Sequence, residues 1–160
     1  DSKKVAVIAD PVAGFDAAAT LTSNANITVC VTFNLEHTYA TDVILQLIAP
    51  NGGTLVLAPG TGTNANDLNG QYCFVAAGTL LLSGAATGGN INTGNYLWSG
   101  AYANINGTLL NGLWRLQIRD DAAGDVGTIA SWSISSLVRT FSMSYSVRNG
   151  WPCRAGHAER

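Results

Sequence analysis

Three aspartates close together are the residues of this chain whose types and spacing most clearly suggest chemistry. Asp120, Asp121 and Asp125 lie within one short, glycine-containing segment. Carboxylate oxygens at close spacing are the ligands that Ca²⁺ prefers, although the run does not match the EF-hand pattern. Asp42 joins the cluster if its segment adjoins this one in the fold. The sequence therefore predicts a calcium site at Asp42, Asp120, Asp121 and Asp125, with a turn that only satisfies its own backbone as the alternative.

His37 and Asp42 are the nearest approach to a catalytic pair in the sequence. A serine-protease mechanism needs a nucleophile, a base and an orienting acid in one site. His37 and His157 are the only histidines, and no G-x-S-x-G nucleophile motif is present. We interpret His37 as fastening a turn between two strands, where Asp42 caps backbone amides. The sequence therefore predicts a protein that is not an enzyme.

Three aromatic residues lie in a segment rich in glycine and asparagine. Residues 51–112 contain Tyr96, Trp98 and Tyr102 but a single charged residue, Asp67. The rings could form a platform for sugars, or they could pack against the protein and hold their own loop. Because these aromatics give the segment something to bury, we expect ordered loops and not a disordered insertion.

The three cysteines, Cys30, Cys73 and Cys153, allow at most one disulfide within the chain. Cys30 with Cys73 is the more plausible pair, because both lie in predicted strands. The cysteines have no metal-ligand spacing. Buried free thiols that behave as small hydrophobic residues are the alternative.

The elements that must position these residues are short β-strands. Two segments on either side of the acidic turn alternate with the period of two that is typical of half-buried strands. Their apolar faces carry Trp114, Leu116 and Ile118 in the first and Ala130, Trp132 and Ile134 in the second. Arg115, Gln117 and Arg119 lie opposite the first set, and a row of serines lies opposite the second. The apolar rows are predicted to be core, and the serines are typical of a solvated sheet face.

Further strands are predicted along the rest of the chain. They are Lys4–Ala9, Ile27–Leu35, Val43–Ala49, Thr54–Leu57, Gln71–Val75 and Thr79–Leu82. Val43–Ala49 is almost continuously apolar, which is typical of a strand covered on both faces, and a glycine turn joins it to the next strand in a hairpin. Ala13–Leu21 fits either a helix or a loop. Many short strands without intervening helices predict an all-β fold, a jelly-roll-like β-sandwich of about eight to nine mostly antiparallel strands.

Composition narrows the class of protein. The 160 residues suffice for one domain with a real core, and a net charge of −2 gives no electrostatic footprint for nucleic acid or an anionic membrane. No apolar run approaches the roughly 18 residues of a membrane span. Few charges and many threonines, asparagines and glycines are typical of an extracellular β-protein, so we expect a secreted or cell-surface location.

Two of these segments resemble the signatures of a known family. Residues 37–54 resemble the "HTY..DL.I.L.SP.GT" motif of the P domain, or P/Homo B domain, of proprotein convertases, and residues 112–134 resemble its "G.W.L.V.D...GD.G.L..W.L" motif. Residues 98–112 resemble the family's link between them. The resemblance covers about Val5 to Leu137. The chain departs from the pattern at Val43, at Ala103 and after Phe74, where the carboxylates common in the family are missing.

The resemblance implies a jelly-roll domain that lies C-terminal to a subtilisin-like protease domain or occurs in microbial secreted and surface proteins. The implied function is a non-catalytic accessory module that stabilises or attaches a partner domain. A structural subunit of a self-assembling extracellular filament or layer and a carbohydrate-binding module are the alternatives. The expected partner is thus a neighbouring protease-like domain or an identical subunit.

The last residues have no counterpart in the family pattern. We expect a domain over residues 1–137 and an atypical tail over residues 138–160, which holds half of all lysines and arginines. The tail is an interaction arm, a strand that completes another subunit's sheet, or the product of a shifted reading frame.

Overall fold

Strands account for most of the residues that a computed structural model describes, which are residues 4–12, 20–23, 27–37, 39–60, 67–79, 82, 89–121, 127–136 and 141–146. For residues 4–12, 34–37 and 141–146 the description covers the backbone only. The strands are β1 (Lys4–Val12), β2 (Ile27–His37), β3 (Val43–Ile48), β4 (Thr54–Pro59), β5 (Leu68–Val75), β6 (Gly94–Tyr96), β7 (Gly112–Asp120), β8 (Thr128–Ser136) and β9 (Phe141–Ser146).

These strands form two sheets. The four-stranded sheet has the order β1-β7-β3-β4, and the five-stranded sheet has the order β6-β5-β2-β8-β9. The chain passes repeatedly from one sheet to the other, and every strand pair is antiparallel except β5 with β6. The predicted all-β sandwich of mostly antiparallel strands is confirmed. The described residues include no helix long and apolar enough to cross a membrane.

The core lies between the two sheets. Trp114 and Leu116 of the four-stranded sheet and Val31 and Trp132 of the five-stranded sheet belong to one buried cluster, with exposures between 0% and 2%. The Trp114 indole N–H is also satisfied, since it donates to the Leu110 carbonyl at 3.1 Å. The prediction that the alternating apolar rows are core is confirmed except at Ala130, because each strand turns every second residue inward. Ala130 is half-buried, since an irregularity in the pairing of β2 with β8 shifts the register and turns Ile129 inward in its place.

Strand β3 differs from its prediction. Its inner residues Val43, Leu45 and Leu47 are buried, whereas Ile44 and Ile48 are only half-buried. The expectation that both faces are covered is therefore wrong. Within the described residues the four-stranded sheet packs through one face, so the sequence is more apolar than the burial of this strand requires.

Three segments outside the central strands also differ from the secondary structure predicted for them. Thr79 and Leu82, the described ends of a predicted strand, are not in a strand. A turn follows β5 directly before them, in which the Gly78 N–H donates to the Val75 carbonyl at 3.2 Å. The short strand β6 was not predicted. Strand β9 lies within the predicted tail and pairs with β8 of the same sheet. Most of Ala13–Leu21 is outside the described residues.

The disulfide joins Cys30 and Cys73, which face each other across β2 and β5. The more plausible pairing from the sequence is thus confirmed. Both cysteines are half-buried and alternate with the inward residues Val29 and Val31, so the bridge lies on the outer side of the sheet. Cys153 is outside the described residues.

Candidate functional site

Strands β3 and β7 bring the two acidic segments together. Val43 lies opposite Asp120 in the antiparallel register. Beyond the last pair, the Asp121 main-chain N–H donates to the Asp42 carbonyl at 3.0 Å. The two motifs that are nearly eighty residues apart in sequence are therefore neighbours in space, as the calcium hypothesis requires.

The carboxylates at this junction point in different directions. Asp120 is 1% exposed and continues the inward row of Trp114, while Asp121 is exposed. The Asp121 carboxylate accepts a hydrogen bond from Arg119 Nη2 at 2.7 Å. Asp42 is half-buried, and both Asp42 and Asp120 have interaction partners within the protein. Consecutive residues at a strand end face opposite sides, so adjacency in sequence does not place these carboxylates around one point.

The calcium site depends on a residue that lies outside the described part of the chain, Asp125. Among the described residues, no group of three or more His, Cys, Asp or Glu side chains is arranged to hold a metal ion. A calcium ion needs six to eight oxygen ligands, of which backbone carbonyls and water can supply several. The four-aspartate site stays a prediction.

The proposed pair of His37 and Asp42 is placed only in part. His37 ends β2, where its backbone lies opposite Leu68, and its side chain is not described. Asp42 ends a 3₁₀ turn over Ala40–Asp42, and its N–H donates to the Tyr39 carbonyl at 3.0 Å. A structural role for this turn stays a prediction. His157 also lies outside the described residues.

The loop aromatics are packed against the sandwich. Tyr96 is 7% exposed and Trp98 is 6% exposed, and both belong to the core cluster. Trp98 stacks on the half-buried Tyr102 with ring centroids 6.4 Å apart. Tyr96 donates its hydroxyl hydrogen to the Asn92 carbonyl. A sugar platform needs exposed ring faces, so Tyr96 and Trp98 cannot serve as the platform that the sequence suggested.

The same loop covers the edge of β4, a role that the sequence did not reveal. The N–H groups of Ser99 and Gly100 both donate to the Val56 carbonyl, at 3.1 and 2.8 Å. The Asn104 side-chain amide donates to the Thr54 carbonyl at 3.2 Å. A Cβ atom on Gly100 would lie 2.6 Å from the Val56 nitrogen, so only glycine allows this approach. The loop thereby satisfies an edge strand that would otherwise be open to pairing with another chain.

The fold defines a β-sandwich module in which the two sequence motifs meet where β3 pairs with β7. Comparison with known families then gives the family. The model of the proprotein convertase P-domain matches residues 27–136, from the first residue of β2 to the last of β8. The chain belongs to the proprotein convertase P-domain family, whose domains are non-catalytic accessory domains.

A curated relative has the same region. Leupeptin-inactivating enzyme 1 of Streptomyces exfoliatus is 30% identical over 115 residues, which cover 72% of this chain and 20% of that protein. The chain therefore spans about a fifth of that relative's length. No solved structure matches the chain.

Proposed function

We propose that this chain is an extracellular accessory domain that stabilises or attaches a neighbouring, protease-type domain of the same polypeptide. The observation that carries the proposal is the family match over residues 27–136, which includes the strands β2 to β8 of both sheets. The relative supports it, because a protein named as an enzyme contains the matched region as a minor part of its length.

The geometry at the strand junction fits this role better than a catalytic one. Asp120 is buried beside the core, Asp121 is paired with Arg119, and the aromatic residues Tyr96 and Trp98 are packed inward. These groups hold the sandwich together and leave its outer sheet faces for contacts. An accessory domain acts through such a surface and not through reacting groups.

The test uses the complete product of the gene that encodes these residues, with and without this region. We expect removal of the region to lower the thermal midpoint of the neighbouring domain or the amount secreted. Light scattering of the chain on its own distinguishes the alternative, since a self-assembling subunit forms concentration-dependent oligomers. Unchanged secretion, stability and activity after removal would contradict the proposal.

A further inference from the structure

The outer side of the four-stranded sheet carries both arginines of the sandwich. The arginine face, as we name it, consists of Ile44, Gln46, Ile48, Arg115, Gln117 and Arg119, all half-buried. In the register of β3 and β7, Arg119 lies opposite Ile44 and Arg115 lies opposite Ile48. The face is therefore a two-strand surface of alternating cationic, amide and aliphatic side chains.

The charge of this face is unlike that of the rest of the domain. Arg115 and Arg119 are the only lysine or arginine residues from Val5 to Leu137, a stretch that contains eight aspartates and glutamates. Both point outward from the same strand, four residues and about 13 Å apart. Lys4, the first residue of β1, lies opposite Asp120 at the end of the same sheet. Apart from Lys4, the positive charge of the strands β1 to β8 lies on one sheet face, which favours a partner surface of negative charge.

The hydrogen-bonding groups of this face are incompletely satisfied. The Nε atoms of Arg115 and Arg119 are buried without a hydrogen-bond partner. Arg119 uses Nη2 to bind Asp121, whereas Arg115 forms no ion pair with the residues that the structure describes. The buried Nε atoms are out of a partner's reach, so a partner carboxylate would accept its hydrogen bonds from the outer Nη groups of these guanidinium groups.

The apolar residues of the face also point to a partner. Strand β3 has the composition of a strand covered on both sides, yet Ile44 and Ile48 are left partly exposed. Burial of partly exposed isoleucines at the centre of an interface is favourable, and arginine is enriched in protein interfaces relative to the rest of the surface.

The outer face of the other sheet provides the contrast. It presents Thr28, Thr32, Ser131, Ser133 and Ser135 around the disulfide, and none of its residues with described side chains is charged. Short hydroxyl side chains are well solvated and offer little for a charged or apolar partner. Charge complementarity therefore selects the arginine face over the serine-bearing face.

We infer that the arginine face is the docking surface for an acidic, partly apolar surface of the neighbouring domain. This inference rests on the proposed function and specifies where the contact forms. Carboxylates of the partner pair with Arg115 and Arg119, and its apolar side chains cover Ile44 and Ile48.

The test replaces both arginines in the complete gene product, as R115Q/R119Q. The matched control is S131E/S135E, which changes the net charge by the same amount at the same spacing on the other sheet. The measurements are the rate of thermal inactivation of the neighbouring domain and hydrogen exchange of β3 and β7. We expect the arginine variant to be inactivated about tenfold faster and to lose exchange protection on the arginine face, while the control matches the wild type.

A second pair of variants guards against misfolding of the double variant. Gln117→Glu places a carboxylate between the two arginines with almost no change in shape, and Gln71→Glu makes the same change on the other sheet. We expect only Gln117→Glu to speed inactivation. If R115Q/R119Q and Gln117→Glu both behave as wild type in a polypeptide whose domains stabilise each other, the docking surface is elsewhere. If removal of this whole region has no effect, the proposed function fails and this assignment fails with it.

Discussion

The main-chain carbonyl of Asp42 accepts a hydrogen bond of 3.0 Å from the main-chain N–H of Asp121. This bond closes the pairing of β3 with β7 and joins the two sequence motifs that identify the family. Both of its atoms belong to the main chain, so the bond does not depend on the charge state or the partners of the two carboxylates. The acidic residues at this point are adjacent because the strands are paired, and their side chains are directed separately by the strand geometry.

The first prediction concerns the calcium hypothesis. If Asp125 completes a site with Asp42, Asp120 and Asp121, titration of calcium into chelator-treated protein gives a measurable binding heat and raises the melting temperature. Asp125→Asn is then expected to abolish both effects. Absence of binding heat together with an unchanged melting temperature in the wild type would dispose of the site.

The second prediction compares two buried tyrosine hydroxyls. Tyr72 donates to the Ile91 carbonyl at 2.9 Å and accepts from the Asn69 N–H at 3.0 Å, whereas the Tyr102 hydroxyl is buried without a partner. Tyr72→Phe is expected to lower the free energy of unfolding by about 1–3 kcal/mol, because it leaves partners unsatisfied. Tyr102→Phe is expected to be neutral or slightly stabilising. Urea denaturation measures both, and equal losses would contradict the assignment of the two hydroxyls.

The third prediction is a loss of stability in alkali. Burial raises the pKa of Tyr72, Tyr96 and Tyr102 above the ordinary value of 10.0. Above about pH 10 the unfolded chain releases protons that the folded chain retains, so stability is fully present below that pH and falls as the pH rises toward the folded pKa values.

Urea denaturation from pH 8 to pH 11 measures this slope. A Cys153→Ser background removes the one thiol that could attack the disulfide at high pH. Tyr102→Phe in that background should lose stability less steeply than its parent. If the free energy of unfolding falls equally steeply with pH in both proteins, Tyr102 does not contribute to the alkaline loss of stability.

The fourth prediction concerns the loop that covers the edge of β4. Gly100→Ala places a Cβ atom against the Val56 backbone and is expected to cost about 1–3 kcal/mol of stability. Ala103→Ser, at an exposed position of the same loop, should stay within about 0.5 kcal/mol of the wild type. Because the loop protects an edge strand, Gly100→Ala should also increase aggregation, which light scattering during heating would detect.

The fifth prediction concerns the disulfide. C30S/C73S should lower the free energy of unfolding by about 2–4 kcal/mol, since the bridge closes a large loop in the unfolded chain. The half-buried position on the outer sheet face predicts that a mild phosphine reduces it without denaturant. Cys153→Ser is the control and should leave both properties unchanged. Resistance of the bridge to reduction until the protein unfolds would contradict this placement.

Much of the fold could be predicted because strand patterns are local. The alternation around Trp114 and Trp132 predicted the buried residues except at Ala130, where a register shift turns Ile129 inward instead. The Cys30–Cys73 pairing followed from two predicted strands. The prediction for Thr79–Leu82 was wrong, because four residues, three of them leucines without a strong strand preference, carry little information about the turn that ends at Gly78. Strand β6 was missed for the opposite reason, since Gly94 and Asn95 have low strand propensity and are held by pairing with β5.

The sequence by itself determined the all-β class, the inward rows of the strands and the family motifs, because each depends on residue type and on spacing within one segment. Only the tertiary structure decided that Asp42 and Asp121 meet, that Trp98 is buried and not presented to a ligand, and that β3 leaves Ile44 and Ile48 partly exposed beside two arginines. Pairing and sheet packing join residues far apart in sequence, and no local pattern specifies which faces they leave open.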